Sequence, residues 1–145
     1  MVAGGALVAL AGCATGPPPP LWATSTAPVE AVRSRVSAAL EQDGLEVEAT
    51  PDGLRVASDA ARFTRCRPVL VGGSSGSDSS RKMVRVEQRR GEARVHFTPA
   101  GEGTRVDWAT SYAGRYRNSI RNDHFTRACE GTGALEALLA AAVAG

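Results

Sequence analysis

The side chains that could do chemistry in this chain are three cysteines, two histidines and one serine set in a glycine frame. Gly72-Gly73-Ser74-Ser75-Gly76 has the Gly-x-Ser-x-Gly spacing of a nucleophile elbow. There a strand, a sharp turn and a helix N-terminus expose the hydroxyl and stabilise an oxyanion. Here Ser77-Asp78-Ser79-Ser80 follows and opens no apolar helix, and a Gly/Ser tract generates the spacing by composition. A small hydrolase using Ser74 is therefore the weakest functional reading. Gly131-Thr132-Gly133 lacks the third glycine of a dinucleotide-binding turn. His96 and His124 stand alone, without metal-ligand spacing, and there is no Cys-x-x-Cys. No catalytic residue, metal or cofactor is expected.

Met1 to Leu10 is apolar and uncharged, too short to span a bilayer, which takes about 20 apolar residues. Its length is that of a signal-peptide hydrophobic region. It ends in Leu10-Ala11-Gly12-Cys13. That run resembles the bacterial lipobox: Leu, a small residue, Gly or Ala, then Cys. The chain departs from the family's pattern in having no Lys or Arg before the cysteine. The resemblance implies cleavage of residues 1–12 and acylation of Cys13, whose chains add about 0.8 kcal/mol of membrane affinity per buried CH₂. Ala14 follows where an Asp would favour inner-membrane retention, so the resemblance implies an outer-membrane anchor with the domain in the periplasm.

With Cys13 lipidated, Cys66 and Cys129 remain as an even pair in an oxidising compartment, and the expected state is a disulfide. Metal binding and thiol catalysis are the alternatives. The bridge would close a long loop, for which chain entropy gives about 4 kcal/mol.

Charge is divided unevenly. Residues 1–60 carry three arginines against seven acids, a net of −4, and residues 61–145 carry +6. A single Lys among 17 basic residues looks like the codon bias of a GC-rich genome, and this explains part of the arginine content without function. The most basic stretch holds Arg115, Arg117, Arg121 and Arg127 with Tyr116, His124 and Phe125 between them. It reads either as a solvated face or as a contact for anionic headgroups, an acidic envelope polymer or an acidic protein surface. Nucleic acid is not an expected partner outside the cytoplasm, and aromatics at 5% argue against a base- or sugar-stacking platform. Arg85, Arg89, Arg90 and Arg94 are expected to flank a hairpin turn at Arg90-Gly91.

These residues need elements to position them. Residues 13–27, with Pro17 to Pro20, read as a semi-rigid stalk of about 3.1 Å per residue, in which Trp22 would meet the membrane interface or a partner. Pro28 can open a helix whose apolar stripe is Val29, Val32, Val36 and Leu40, with Gly44 as its stop. Leu45, Val47 and Ala49, a Pro51-Asp52-Gly53 turn, then Leu54 and Val56 read as a hairpin. Phe63 to Val71 reads as a strand broken by Pro68, and residues 72–80 as a loop. Three strands follow around Val84–Val86, Ala93–Phe97 and Val106–Tyr112. Trp108 and Tyr112 read as core side chains. The stretch 114–127 shows no period, and Thr132 can cap a final helix with Leu135, Leu138, Leu139, Ala142 and Val143 inward.

The expectation is one α+β domain over 28–145: an antiparallel sheet of about six strands with N- and C-terminal helices packed on one face. That order of elements is weakly similar to helix-grip domains in a lipoprotein component of the outer-membrane β-barrel assembly machinery. The resemblance is one of topology and implies a non-enzymatic envelope scaffold or accessory binding domain. The alternative is a carrier of a small apolar ligand or lipid, held between the sheet and the C-terminal helix.

Overall fold

The computed structural model describes residues 17–69 and 84–145. The lipobox cysteine Cys13 and the Ser74 motif lie outside the described residues. The fold is α+β, a six-stranded antiparallel sheet with two helices on one face.

Helix α1 (Val29–Gln42) starts at Pro28, whose carbonyl accepts the Val32 N–H at 3.1 Å, and stops at Gly44, where φ is +82°. Its inward stripe is Val32, Val36 and Leu40, each fully buried. The hairpin of β2 (Glu46–Thr50) and β3 (Gly53–Ser58) turns at Pro51-Asp52, as the sequence predicts. Helix α2 (Ala134–Ala144) buries Leu135, Leu139, Ala142 and Val143. Its start is Gly133, at φ +87°, and the Thr132 hydroxyl accepts the Ala134 N–H one position outside the cap expected of it.

β5 (Val84–Ala100) and β6 (Gly103–Asn118) form one hairpin that runs the length of the molecule. The sequence places a turn at Arg90-Gly91, and the structure corrects this. β5 continues through that point, with Gly91 opposite Tyr112. A Cβ on Gly91 would come within 3.1–3.3 Å of the Tyr112 ring and the Thr64 hydroxyl. The glycine therefore admits an aromatic ring over a continuous strand rather than reversing the chain. Within the described part of the expected strand at 63–71, only β4 (Thr64–Arg65) is strand, and it pairs β8 (Glu130–Gly131) in a small second sheet. The polar stretch without a period resolves into the end of β6, a turn, and β7 (Asp123–Ala128).

In the main sheet the order is β2-β3-β5-β6, and both remaining strands pair with the far edge of β6. β1 (Trp22–Ser25) takes the Thr104–Asp107 half and β7 the Ala113–Asn118 half. The expected stalk therefore ends earlier than residue 27, since its last part is an edge strand. Two bonds hold it there: the Trp108 amide donates to Leu21 O at 3.0 Å and the Trp108 indole N–H to Pro20 O at 2.9 Å. A proline run tolerates this position because it precedes an edge strand.

Both helices lie over Leu54, Val56, Ala93, Val95, Phe97, Val106 and Trp108. Arg35 ties them together: its guanidinium donates to Ser25 Oγ in β1 and to the Val143 carbonyl at the end of α2, where a cation also complements the helix dipole. The space in which a carrier would hold its ligand is packed with Phe63, Trp108, Leu135, Leu139 and Val143.

Candidate functional site

Beyond the helices the long hairpin continues with β7 as a three-stranded end. Cross-strand partners share a face of an antiparallel sheet. One row across this end reads Arg85, Arg117, His124, and the next reads Gln88, Arg115, Thr126. A bulge between Val86 and Gln88 inserts Glu87 beside the first row. There its carboxylate lies 3.0 Å from His124 Nε2 and 3.8 Å from an Arg117 nitrogen. Arg85 and Arg115 are exposed and have no ion-pair partner among the described residues. Arg121 stands exposed in the β6–β7 turn. That turn is shaped by the buried Asn118, whose Oδ1 accepts the Ile120 and Arg121 amides at 3.1 and 3.3 Å. Ile120 is left at the tip, 69% exposed.

The opposite face of the same end is braced. Cys66 and Cys129 form a disulfide, as expected from the cysteine count. It lies directly on Gly114, where a Cβ would stand 2.7 and 2.9 Å from the two sulfurs. Tyr116 stacks on Phe125 at 5.3 Å and donates its hydroxyl to Arg67 O at 2.7 Å. Arg127 belongs to this face, with its guanidinium 5.5 Å from the Phe125 ring. An open cleft of about 540 Å³ runs here between Arg65, Arg67, Tyr116, Arg127 and Glu130, and Arg67 and Glu130 pair across it at 2.8 Å.

Nearer the helices most of the outer-face arginines have carboxylate partners, Arg94 excepted among the described residues. Arg90 meets Asp59, Glu46 and Glu92 at 3.0, 3.0 and 3.1 Å, and Arg55 meets Glu92 at 3.4 Å. The hydrogen bonds that Arg90 donates to Asp59, Glu92 and Glu46 raise its pKa, and the Arg90 guanidinium lowers that of Glu92. The pairs are partly exposed, so each holds orientation more than it adds stability.

The buried carboxylate among the described residues is Glu136, 3% exposed in the first turn of α2. Its Oε1 accepts the Thr110 and Tyr112 hydroxyls at 2.8 and 2.7 Å, and its Oε2 has no partner among the described residues. Burial, then the hydrogen bond to Glu136, pushes the Tyr112 phenol well above its ordinary range. Among the described residues no three His, Cys, Asp or Glu side chains gather as a metal site.

Of the four arginines singled out in the sequence, Arg115, Arg117 and Arg121 gather on the outer face and tip, and Arg127 turns to the disulfide side. Arg85 and His124 complete the outer row. His124 is already part of the basic stretch, but sequence reasoning missed Arg85 because the expected turn at Arg90-Gly91 separates it from Arg117, and only the register of one long hairpin makes them neighbours. Glu136 was missed because it interrupts an otherwise apolar helix face. Compared with known proteins, the chain matches no family model, no curated protein and no solved structure.

Proposed function

We propose that this chain is a non-enzymatic lipoprotein of the bacterial outer membrane, acylated at Cys13, whose periplasmic domain docks an anionic envelope component. Within the domain, one observation carries the reading. Arg85 and Arg117 are direct cross-strand partners on an exposed face, next to Arg115, which has no ion-pair partner among the described residues. Like charges directly opposite destabilise a sheet, and an anion bridging them offsets that cost. Elsewhere on the same face Arg90 and Arg55 have carboxylates of this chain as partners; of the arginines without one among the described residues, Arg94 stands alone opposite Arg55, whereas Arg85, Arg115 and Arg121 gather at the distal end. The lipobox resemblance supports the anchor, and the likeness of element order to helix-grip domains supports a scaffolding role. Among the described residues no helix is long and apolar enough to cross a membrane.

The test is in-cell photocrosslinking from Thr126, which lies in the Arg115 row. The reading expects one reproducible adduct in membranes, lost in Arg115→Ala/Arg117→Ala while the protein stays folded. The same adduct persisting in that variant would contradict docking through these arginines.

A further inference from the structure

We propose that the anionic component met by the distal end is the lipid headgroup surface of the membrane that carries the anchor, with Ile120 entering its interfacial layer. This rests on the Cys13 anchor proposed above. The first support is the direction of the chain. β1 is antiparallel to β6, with Ser25 opposite Thr104 and Trp22 opposite Asp107. Passing upstream, Leu21 and Pro20 bond to Trp108. The chain therefore leaves the domain toward the end of β6 that bears Arg115, Arg117 and the tip.

The second is length. From Trp108 to Asn118 β6 covers ten residues, about 33 Å at strand rise. From Pro20 back to Cys13 is seven residues, which can span at most about 25 Å. A tether that runs toward the tip and is shorter than the distance to it brings the tip to the lipid before the rest of the domain. Pro17 to Pro20 resist bending, so the chain keeps this heading as it leaves Leu21.

The third is chemistry. The tip places an Ile that is 69% exposed beside Arg117 and Arg121, with Arg85 and Arg115 on the flank. An exposed apolar residue at an end where four arginines outnumber the two acids Glu87 and Asp123 suits a boundary where headgroups are anionic and acyl chains begin just below. Arginine stems can also lie along apolar surface while their heads stay with phosphate.

The test uses the full chain as Cys13→Ser, with the Cys66–Cys129 bond formed, so that no acyl chain contributes. Co-sedimentation with phosphatidylglycerol-containing vesicles is compared with pure phosphatidylcholine vesicles, at low and high salt. The expected result is salt-sensitive binding to the anionic vesicles only, falling by about fivefold for each of Arg85, Arg115, Arg117 and Arg121 changed to Glu. Arg94→Glu, nearer the helices, should leave binding unchanged, and thermal melting checks that each variant folds. Trp at 120 (Ile120→Trp, in a Trp22→Phe background) should be quenched by brominated phosphatidylglycerol. Equal binding by the wild-type and reversed tips, or no quenching at 120, would overturn the proposal. So would binding to a soluble acidic polymer with none to vesicles. An acyl mass absent from Cys13 in cells would instead refute the anchor, which these vesicle measurements do not involve.

Discussion

Glycine at position 114 is a packing requirement, because both sulfurs of the Cys66–Cys129 bridge lie where its Cβ would be. Gly114→Ala should cost about 1–3 kcal/mol by denaturant unfolding, the usual range for overpacking. In a Cys66→Ala/Cys129→Ala background most of that cost should vanish, and an equal cost there would show that the sulfurs are not what the methyl meets. Tyr112 has a different signature. Its phenol ionises at higher pH in the folded chain than the ordinary value of about 10. Its contribution to stability is therefore fully present below that value and is lost as pH rises toward the folded one. Tyr112→Phe should remove this falling limb from a plot of unfolding free energy against pH above about 10, and unchanged alkaline slopes would refute it. Neither residue could be assigned its role from sequence alone. The cysteine count implies the bridge, but which strand it lies on depends on long-range register, and Tyr112 reads as core without its Glu136 partner being visible.

At the scale of elements, the two helices and the β2–β3 hairpin were readable because local rules decide them: apolar residues at helical spacing, Gly44 as a stop, Pro51-Asp52 as a turn. Leu139→Ala, at a fully buried position of α2, should cost about 2–5 kcal/mol in equilibrium unfolding. A loss under about 0.5 kcal/mol, the level of an exposed site, would mean that α2 does not seal the core. The long hairpin was read as shorter strands because Gly91 looks like punctuation, whereas its lack of a side chain accommodates the Tyr112 ring. β1 was hidden by its proline-rich approach. Trp108→Phe removes the indole bond to Pro20 O and should cost about 1 kcal/mol. It should also speed hydrogen exchange at the β1 amides, and unchanged exchange there would count against Trp108 as the clasp.

The whole molecule is a helix-covered sheet from which a braced three-stranded end projects, with most outer-face charges paired near the helices and with Arg85, Arg115 and Arg121 lacking carboxylate partners among the described residues at the far end. Arg115, Arg117 and Arg121 could be picked out as a basic cluster from sequence. Their separation from Arg127, and the arrival of Arg85 and His124 beside them, follow from strand alternation and register, which a run of polar residues without a period does not reveal. The direction of the stalk, set by β1 pairing with β6, then relates this end to the proposed anchor. The most direct measurement is the intact mass of the N-terminal peptide from protein extracted from bacterial membranes. The prediction is a peptide that begins at Cys13 and carries diacylglyceryl mass, with Cys13→Ser recovered without it and released from the membrane. An unacylated peptide, or a Cys13→Ser protein that fractionates as the wild type does, would contradict it.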